Sequence, residues 1–254
     1  MFAEQRRNTI LDLLARRGSV SVTELHRRLE VSRETIRRDI NALADDHRLQ
    51  KTHGGALSID SIEPGIAERM SVNIDGKRAI GRRAAGMVAD GASLIIDSGT
   101  TTLCLAEALA GHHRLTVYTN DVQVAARLAG RHENRVFVLG GEVVGGEGAM
   151  VGRDTTAMLE NYYADFAFIG ASALSPSHGL TDYTREAAEL RKLMLANART
   201  TVLLADHGKF KRIAPVRVAA LDELDHLITD SPLKGDVAAY FKKLKCEVLV
   251  AGNA

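Results

Sequence analysis

Seven short apolar runs recur between Leu94 and Val250, and runs of this length bounded by turn residues are buried most readily as strands inside a sheet. They are Leu94-Ile95-Ile96, Leu115-Thr116-Val117-Tyr118, Arg135-Val136-Phe137-Val138-Leu139, Phe166-Ala167-Phe168-Ile169, Thr201-Val202-Leu203-Leu204, His226-Leu227-Ile228 and Val248-Leu249-Val250. Helical patterns fall between them, near 76–88, 101–110, 121–129, 154–161, 184–198 and 235–244. Continuously apolar strands alternating with helices imply an α/β fold with a parallel sheet covered on both faces. In such a sheet a ligand sits in the crevice beyond the carboxyl ends of the strands. Functional residues are therefore sought there.

The first 57 residues follow a different pattern. Ile10, Leu13 and Leu14 recur at helical spacing, and Gly18 ends this helix. Ser21-Val22-Thr23-Glu24 places a hydroxyl three residues before a carboxylate, the capping-box spacing, ahead of a short helix through Leu25 and Leu29. Glu30-Val31 reads as a tight turn, and Ser32 caps a third helix running to about Ala44. Ile36, Ile40 and Leu43 give that helix one apolar face and leave Arg33, Glu34, Arg37, Arg38 and Asn41 outward. Two short helices joined by a tight turn describe a helix-turn-helix, whose second helix enters the DNA major groove. Leu49 to Ala56 alternates toward a Gly54-Gly55 turn and reads as a β-wing. Ser32, Arg33, Thr35, Arg37 and Arg38 are the expected groove contacts, with Lys51 and His53 reaching phosphate from the wing.

Charge distribution supports this. Residues 1–57 hold eleven Arg and Lys against eight Asp and Glu, whereas the remainder is slightly acidic. All but Lys51 of those cations are arginine, whose fork matches phosphate and guanine.

Residues 58–74, with Pro64 and Gly65, read as a linker, leaving 75–254 as an effector-sensing and oligomerising domain. Its first strand runs into Asp97-Ser98-Gly99-Thr100-Thr101-Thr102, and a helix follows at once. Unpaired N–H groups and hydroxyls at such a helix start form an anion site. Asn120, Gly140-Gly141, and Asp206 with Lys209 follow other strands, where they are placed for the same pocket. No P-loop lysine motif or spaced-glycine dinucleotide pattern is present.

The stretch containing Val31-Ser32-Arg33-Glu34-Thr35-Ile36-Arg37-Arg38-Asp39-Ile40 and the distal His53-Gly54-Gly55-Ala56 resembles the N-terminal signature of DeoR-type bacterial repressors. The resemblance extends through Lys77, Asp97–Thr101, Asn120, Gly140-Gly141, Gly152, Asp165 with Gly170, Gly179–Asp182, Glu189, and Asp206 with Lys209. It implies a winged helix-turn-helix joined to a sensor domain similar in fold to ribose-5-phosphate isomerase and glucosamine-6-phosphate deaminase. It also implies a phosphorylated sugar or related metabolite as effector, and adds Lys77 and Asp182 to the expected effector site. Two positions depart from the family: Arg191-Lys192 where Lys-Arg is common, and His207 where a small hydroxyl is common.

Together these readings describe a sequence-specific DNA-binding regulator, a repressor of a carbohydrate or related operon, acting as a homodimer or tetramer. An isomerase- or deaminase-like enzyme fused to a DNA-binding module is the alternative. Against it, the isomerase's Asp-Gly-Ala-Asp-Glu run is replaced by Asp165-Phe166-Ala167-Phe168-Ile169. No catalytic residue, cofactor or metal is expected, since the nine histidines lack ligand spacing with cysteine or carboxylate. Cys104 and Cys246 read as buried hydrophobes of a reducing compartment. With no apolar span and no signal-peptide pattern, a cytoplasmic location is expected.

Overall fold

A computed structural model describes residues 2–17, 19–46, 48–52, 54–58, 63–144, 146 and 148–252. The chain divides into two compact units, one over Met1–Glu63 and a larger one beginning at Pro64.

The smaller unit holds α1 (Ala3–Arg17), β1 (Ser19–Ser21), α2 (Val22–Leu29), α3 (Arg33–Asp45), β2 (Leu49–Thr52) and β3 (Gly55–Ser58). Ile10, Leu14, Leu25, Ile36, Ile40 and Leu43 form its core, as the helical spacing predicts. Both expected caps form: Ser21 Oγ accepts from Glu24 N and Ser32 Oγ from Thr35 N, each at 3.1 Å. Glu30 takes a left-handed conformation, φ 54°, and turns the chain between α2 and α3. The strands form an antiparallel sheet in the order β1-β3-β2. One sequence expectation is corrected here. Gly55 pairs with both Thr52 and Ser21 inside the sheet, so it belongs to the strand β3 and not to a Gly54-Gly55 turn. His53 itself lies outside the described residues.

Asp39 is buried against α1, with Arg6 Nε 2.8 Å and Arg7 Nε 3.4 Å from its carboxylate. Those two arginines, part of the positive excess, hold α1 to α3.

The larger unit begins with α4 (Ile66–Ser71), a short helix inside the stretch read as linker, and α5 (Ile74–Ala85). There follow β4 (Ser93–Ile96), α6 (Thr100–Ala108), β5 (Thr116–Thr119), α7 (Val122–Leu128), β6 (Arg135–Val138), β7 (Glu142–Val143), β8 (Met150–Val151) and α8 (Arg153–Leu159). The chain continues through β9 (Ala164–Gly170), β10 (Ala173–Ser175), β11 (Gly179–Asp182), α9 (Arg185–Ala196) and β12 (Ala198–Leu204). It closes with β13 (Val216–Ala219), β14 (His226–Thr229), α10 (Gly235–Phe241) and β15 (Glu247–Val250).

All seven apolar runs lie in one seven-stranded sheet of order β15-β14-β12-β9-β4-β5-β6. Every pairing in it is parallel. Alternate residues serve opposite faces. Leu94, Ile96, Phe168 and Val202 pack with Ile80, Leu105 and Val124 from α5, α6 and α7. Ile95, Ala167, Ile169 and Leu203 pack with Leu159, Met194 and Phe241 from α8, α9 and α10. The antiparallel pair β7-β8 and the sheet β10-β11-β13 carry no long apolar run, and the sequence reading lacked them. Among the described residues no helix is long and apolar enough to cross a membrane.

From β4 the chain moves outward through β5 to β6, returns to the other side of β4 at β9, and continues outward to β15. The order therefore reverses between β4 and β9, the position beyond whose carboxyl ends sheets of this kind hold their ligands. Helix α6 starts there, and Gly81 sets how closely α5 approaches it. A Cβ at Gly81 would lie 2.6 Å from the Cys104 carbonyl group and 2.8 Å from Leu105 N. Gly81→Ala is expected to destabilise the larger unit by about 1–3 kcal/mol through overpacking. Gly86→Ala, whose methyl would meet its nearest atom at 3.5 Å, is the control and is expected to shift a urea midpoint far less. Equal midpoints for the two variants would refute this account of the α5–α6 contact.

Candidate functional site

In the smaller unit, α3 presents Arg33, Arg37 and Arg38 to solvent while Ile36, Asp39 and Ile40 are buried. Ser32 and Thr35 bond to each other at the helix start, Oγ to Oγ1 at 2.9 Å. Arg37 pairs with the exposed Glu34 at 3.7 Å. Such a surface ion pair is weak and yields readily to phosphate or a base. Lys51 is exposed on β2. Arg27 and Arg28, exposed on α2, add cations that the sequence reading left out; their offset from the apolar residues Leu25 and Leu29 was the available signal.

In the larger unit, Asp97, Ser98 and Gly99 link β4 to α6 at the strand-order reversal. Gly99, at φ 140°, occupies backbone space that favours glycine and caps the helix without a side-chain bond. The first bond within α6 runs from Leu103 N to Gly99 O at 2.9 Å. The N–H groups of Thr100, Thr101 and Thr102 thus precede the intrahelical ladder and lack acceptors within it. Thr102 Oγ1 donates back to Gly99 O at 2.9 Å. Asn120, at the end of β5, donates from Nδ2 to Ser98 Oγ at 3.3 Å and to Met150 O at 2.9 Å. Its Oδ1 is buried with no hydrogen-bond partner.

Two expected effector ligands, Asp97 and Asp182, face a protein partner instead. Arg191 Nε donates to Asp97 Oδ2 at 2.7 Å, and its Nη1 contacts Asp182 Oδ2 and lies 3.3 Å from Ser172 Oγ. Asp97 also accepts from Ser98 N at 2.8 Å and Gly170 N at 3.0 Å. Asp182 accepts from Tyr183 N at 2.6 Å and Ser172 Oγ at 3.1 Å. The departure at Arg191 from the family's lysine is therefore a buried guanidinium spanning the two carboxylates.

Asp121 lies next to the same loop. Burial pushes its carboxyl upward, opposed by N–H donation from Gln123, Val124 and Gly99, while the charge of Asp97 adds to the rise. Gly140 and Gly141 are exposed beyond the edge strand β6, and Thr155 Oγ1 donates to Gly140 O at 2.5 Å. The structure places them two strands from β4 in the sheet order.

Lys77 is buried on α5, where its ammonium donates to the Arg69 carbonyl. Desolvation draws it below the ordinary lysine range, and the carboxylate of Asp206 pulls it partly back. Asp206 ends β12 and accepts from Gly208 N at 2.9 Å; Lys209 is half-buried three residues on. The next strand end carries Asp230, which the sequence reading missed although it follows β14 as Asp206 follows β12. Asp230 accepts from His207 N at 2.7 Å, from Asn73 Nδ2 at 3.0 Å, and lies 2.6 Å from His207 Nδ1. The departure at His207 thus ties β12 to β14 at the rim. Lys77, Asp97, Thr100, Asn120, Asp182 and Asp206 are all buried, whereas Ser98, Gly99 and Lys209 keep partial access to solvent.

Comparison with known proteins gives matches over nearly the whole chain. The DeoR-like helix-turn-helix domain matches residues 6–62, and the DeoR C terminal sensor domain matches residues 72–231. The chain is 32% identical over 229 residues to the glycerol-3-phosphate regulon repressor of Escherichia coli (strain K12), covering 90% of this chain and 91% of that protein. It is 34% identical over 247 residues to the HTH-type transcriptional regulator GolR of Listeria innocua, covering 96% of each. Among solved structures, ribose 5-phosphate isomerase A from Methanocaldococcus jannaschii aligns with a TM-score of 0.40 and 20% identity over 54% of this chain and 55% of that one.

The hydrogen bond to Asp230 raises the pKa of His207 above the usual histidine value, and Asp230 in turn is held below the usual carboxylate range, where it stays ionised at neutral pH. A raised folded-state value stabilises the protein fully below about pH 6.5, the unfolded value, and the gain fades as pH rises through the folded one. In an NMR titration His207 is expected to titrate above its unperturbed value, and Asp230→Asn to return it downward. A midpoint that ignores this substitution would show that the pair does not form in solution.

Proposed function

The chain belongs to the DeoR family of transcriptional regulators, and on that premise we propose that it is a repressor released from its operator by a phosphorylated sugar or related metabolite. Arg33, Arg37 and Arg38, with the α3 start at Ser32 and Thr35, enter the major groove, and Lys51 and His53 of the wing hold phosphate. Helix-turn-helix readers usually engage two half-sites as dimers, so the protein acts as a homo-oligomer joined through the larger unit. Its partners place it in the cytoplasm.

The single observation behind the effector site is the set of three N–H groups opening α6 where the strand order reverses. A phosphate there gains oriented donors and the favourable end of the helix dipole. The unpartnered Asn120 Oδ1 accepts a hydroxyl of the same molecule, and Lys77, Asp206 and Lys209 line its far side. Gly140 and Gly141 stand at the periphery. Asp97 and Asp182 serve from beneath through Arg191. Because the Escherichia coli relative is named for the glycerol-3-phosphate regulon, glycerol 3-phosphate is the first compound to test.

Release requires that the effector favour an arrangement less suited to operator. Coupling of about 1–3 kcal/mol is typical of such switches and is reciprocal, so operator must weaken effector binding by the same factor.

Arg37→Ala is expected to cost about 1–3 kcal/mol of operator affinity in a mobility-shift titration; undiminished affinity would remove Arg37 from the groove. For the effector, Thr100→Pro deletes one donor at the first helical position, where proline is well tolerated. That variant should bind operator normally yet lose about 1.5–3 kcal/mol of effector affinity, the range for a hydrogen bond to a charged group. Release from operator at wild-type effector concentrations would move the anion site elsewhere.

A further inference from the structure

We propose that Arg191 is the positioning residue that lets the loop between β4 and α6 accept an anion, by neutralising Asp97 and clamping it to Asp182. The inference rests on the effector site argued above. It concerns a residue that is not itself expected to touch the effector.

The difficulty it resolves is electrostatic. Asp97 immediately precedes the loop and already takes the N–H of Ser98. Asp121, on the neighbouring β5–α7 connection, lies near enough to the turn for the Gly99 N–H to favour its charged form and for the charge of Asp97 to oppose it. Two carboxylates therefore support, from the protein side, the same turn whose next three N–H groups point to the effector. Left uncompensated, the charge on Asp97 would repel a phosphate a few ångströms away, and water is too scarce at a buried carboxylate to screen it.

Arg191 is the guanidinium against Asp97, and its geometry suits two tasks at once. The Nε–H donates to Asp97 while Nη1 meets Asp182 and Ser172. A planar fork can bridge two carboxylates in this way, whereas a lysine ammonium offers one point of charge. Asp182 stands at the end of β11 in the antiparallel sheet, and the Asp182–Thr184 segment leads directly into α9, which carries Arg191. Thr184 Oγ1 caps that helix by accepting from Ala187 N at 3.3 Å. The clamp is thus a closed circuit of β4, α9 and β11. It fixes the Asp97 carboxylate so that Ser98 and Gly99 hold the turn with the α6 donors facing outward.

The test measures binding of glycerol 3-phosphate, with inorganic phosphate as the simplest tetrahedral anion, to the full chain by calorimetry. Arg191→Met should weaken binding about 30-fold or more, on a Coulomb estimate at the dielectric of a partly buried site, and Arg191→Lys, which keeps the charge but loses the fork, should weaken it measurably but less. The decisive variant is Asp97→Asn combined with Arg191→Met, which removes the repelling charge together with its neutralising partner. Its affinity should exceed that of Arg191→Met by about tenfold because the Coulomb penalty is gone, while the lost clamp keeps it below wild type. A purely structural role for Arg191 predicts no such recovery. If Arg191→Met does not fold, Arg191→Lys and the double variant decide the matter. Unchanged binding in Arg191→Lys, or a double variant as weak as the single one, overturns the proposal while leaving the effector site standing. Wild-type protein that binds neither anion overturns the site and the inference together.

Discussion

A parallel sheet sealed by helices on both faces leaves little room for a small molecule except where its strands end and their order reverses. In this protein the reversal lies between β4 and β9, and the rest of the larger unit is arranged around it. Gly81 lets α5 press onto α6, Asp97 reaches across the gap to Gly170 N at 3.0 Å, and Asn120 reaches from β5 to Ser98. Backbone groups around this reversal are committed to neighbours, while the first N–H groups of α6 have no acceptor within their own helix. Its donors remain because a helix cannot satisfy its own first N–H groups.

Charge is handled similarly in both units: a buried carboxylate is matched by arginine from a distant helix. Asp39 with Arg6 and Arg7 joins α3 to α1, and Asp97 with Arg191 joins the β4 end to α9. Ion pairs of this kind seldom add much net stability, because desolvation offsets the Coulomb gain, but removing one partner is costly. Their value lies in geometry. In the smaller unit the pairs withdraw two arginines from the positive surface; in the larger one they hold a carboxylate in place beneath the start of α6.

The seven strands were legible because each is apolar on both faces, a pattern that survives without any partner in view. The short antiparallel pieces were not, since Glu142-Val143 and Met150-Val151 form strands of two residues whose stability depends on each other. Gly55 was assigned to the wing turn for a local reason: a Gly-Gly pair looks like a turn, yet Gly55 pairs in the ladder beside Ser21. At the site, the strand-end rule located Asp97 through Thr101, Asn120 and Asp206, and applied to β14 it would have located Asp230. Arg191 was visible only as a departure, because its partner Asp97 is 94 residues away and spacing carries no trace of such a pairing.

The same arrangement explains why an anion cradle of this kind suits a switch better than a reaction. Acid–base chemistry on a sugar needs a carboxylate whose lone pairs are available to a substrate proton. Asp97 and Asp182 have theirs taken by a guanidinium, backbone N–H groups and Ser172, which makes both poor bases and good struts. On the proposed reading, binding energy collected at the α6 donors has no bond-breaking step to lower and can instead bias one arrangement of the protein over another. A ligand shifts such an equilibrium only by its differential affinity for the two states. Because those donors belong to the backbone at a fixed strand end, the proposed differential lies in side chains around the strand ends: the Lys77 ammonium on the Arg69 carbonyl, the His207–Asp230 pair, and Asn73 at the start of α5. Lys77 ties α5 to α4, His207 ties the end of β12 to that of β14, and Asn73 joins Asp230 at the sheet's carboxyl edge to the segment preceding α5. That segment is also where the chain enters the larger unit from the DNA-reading one.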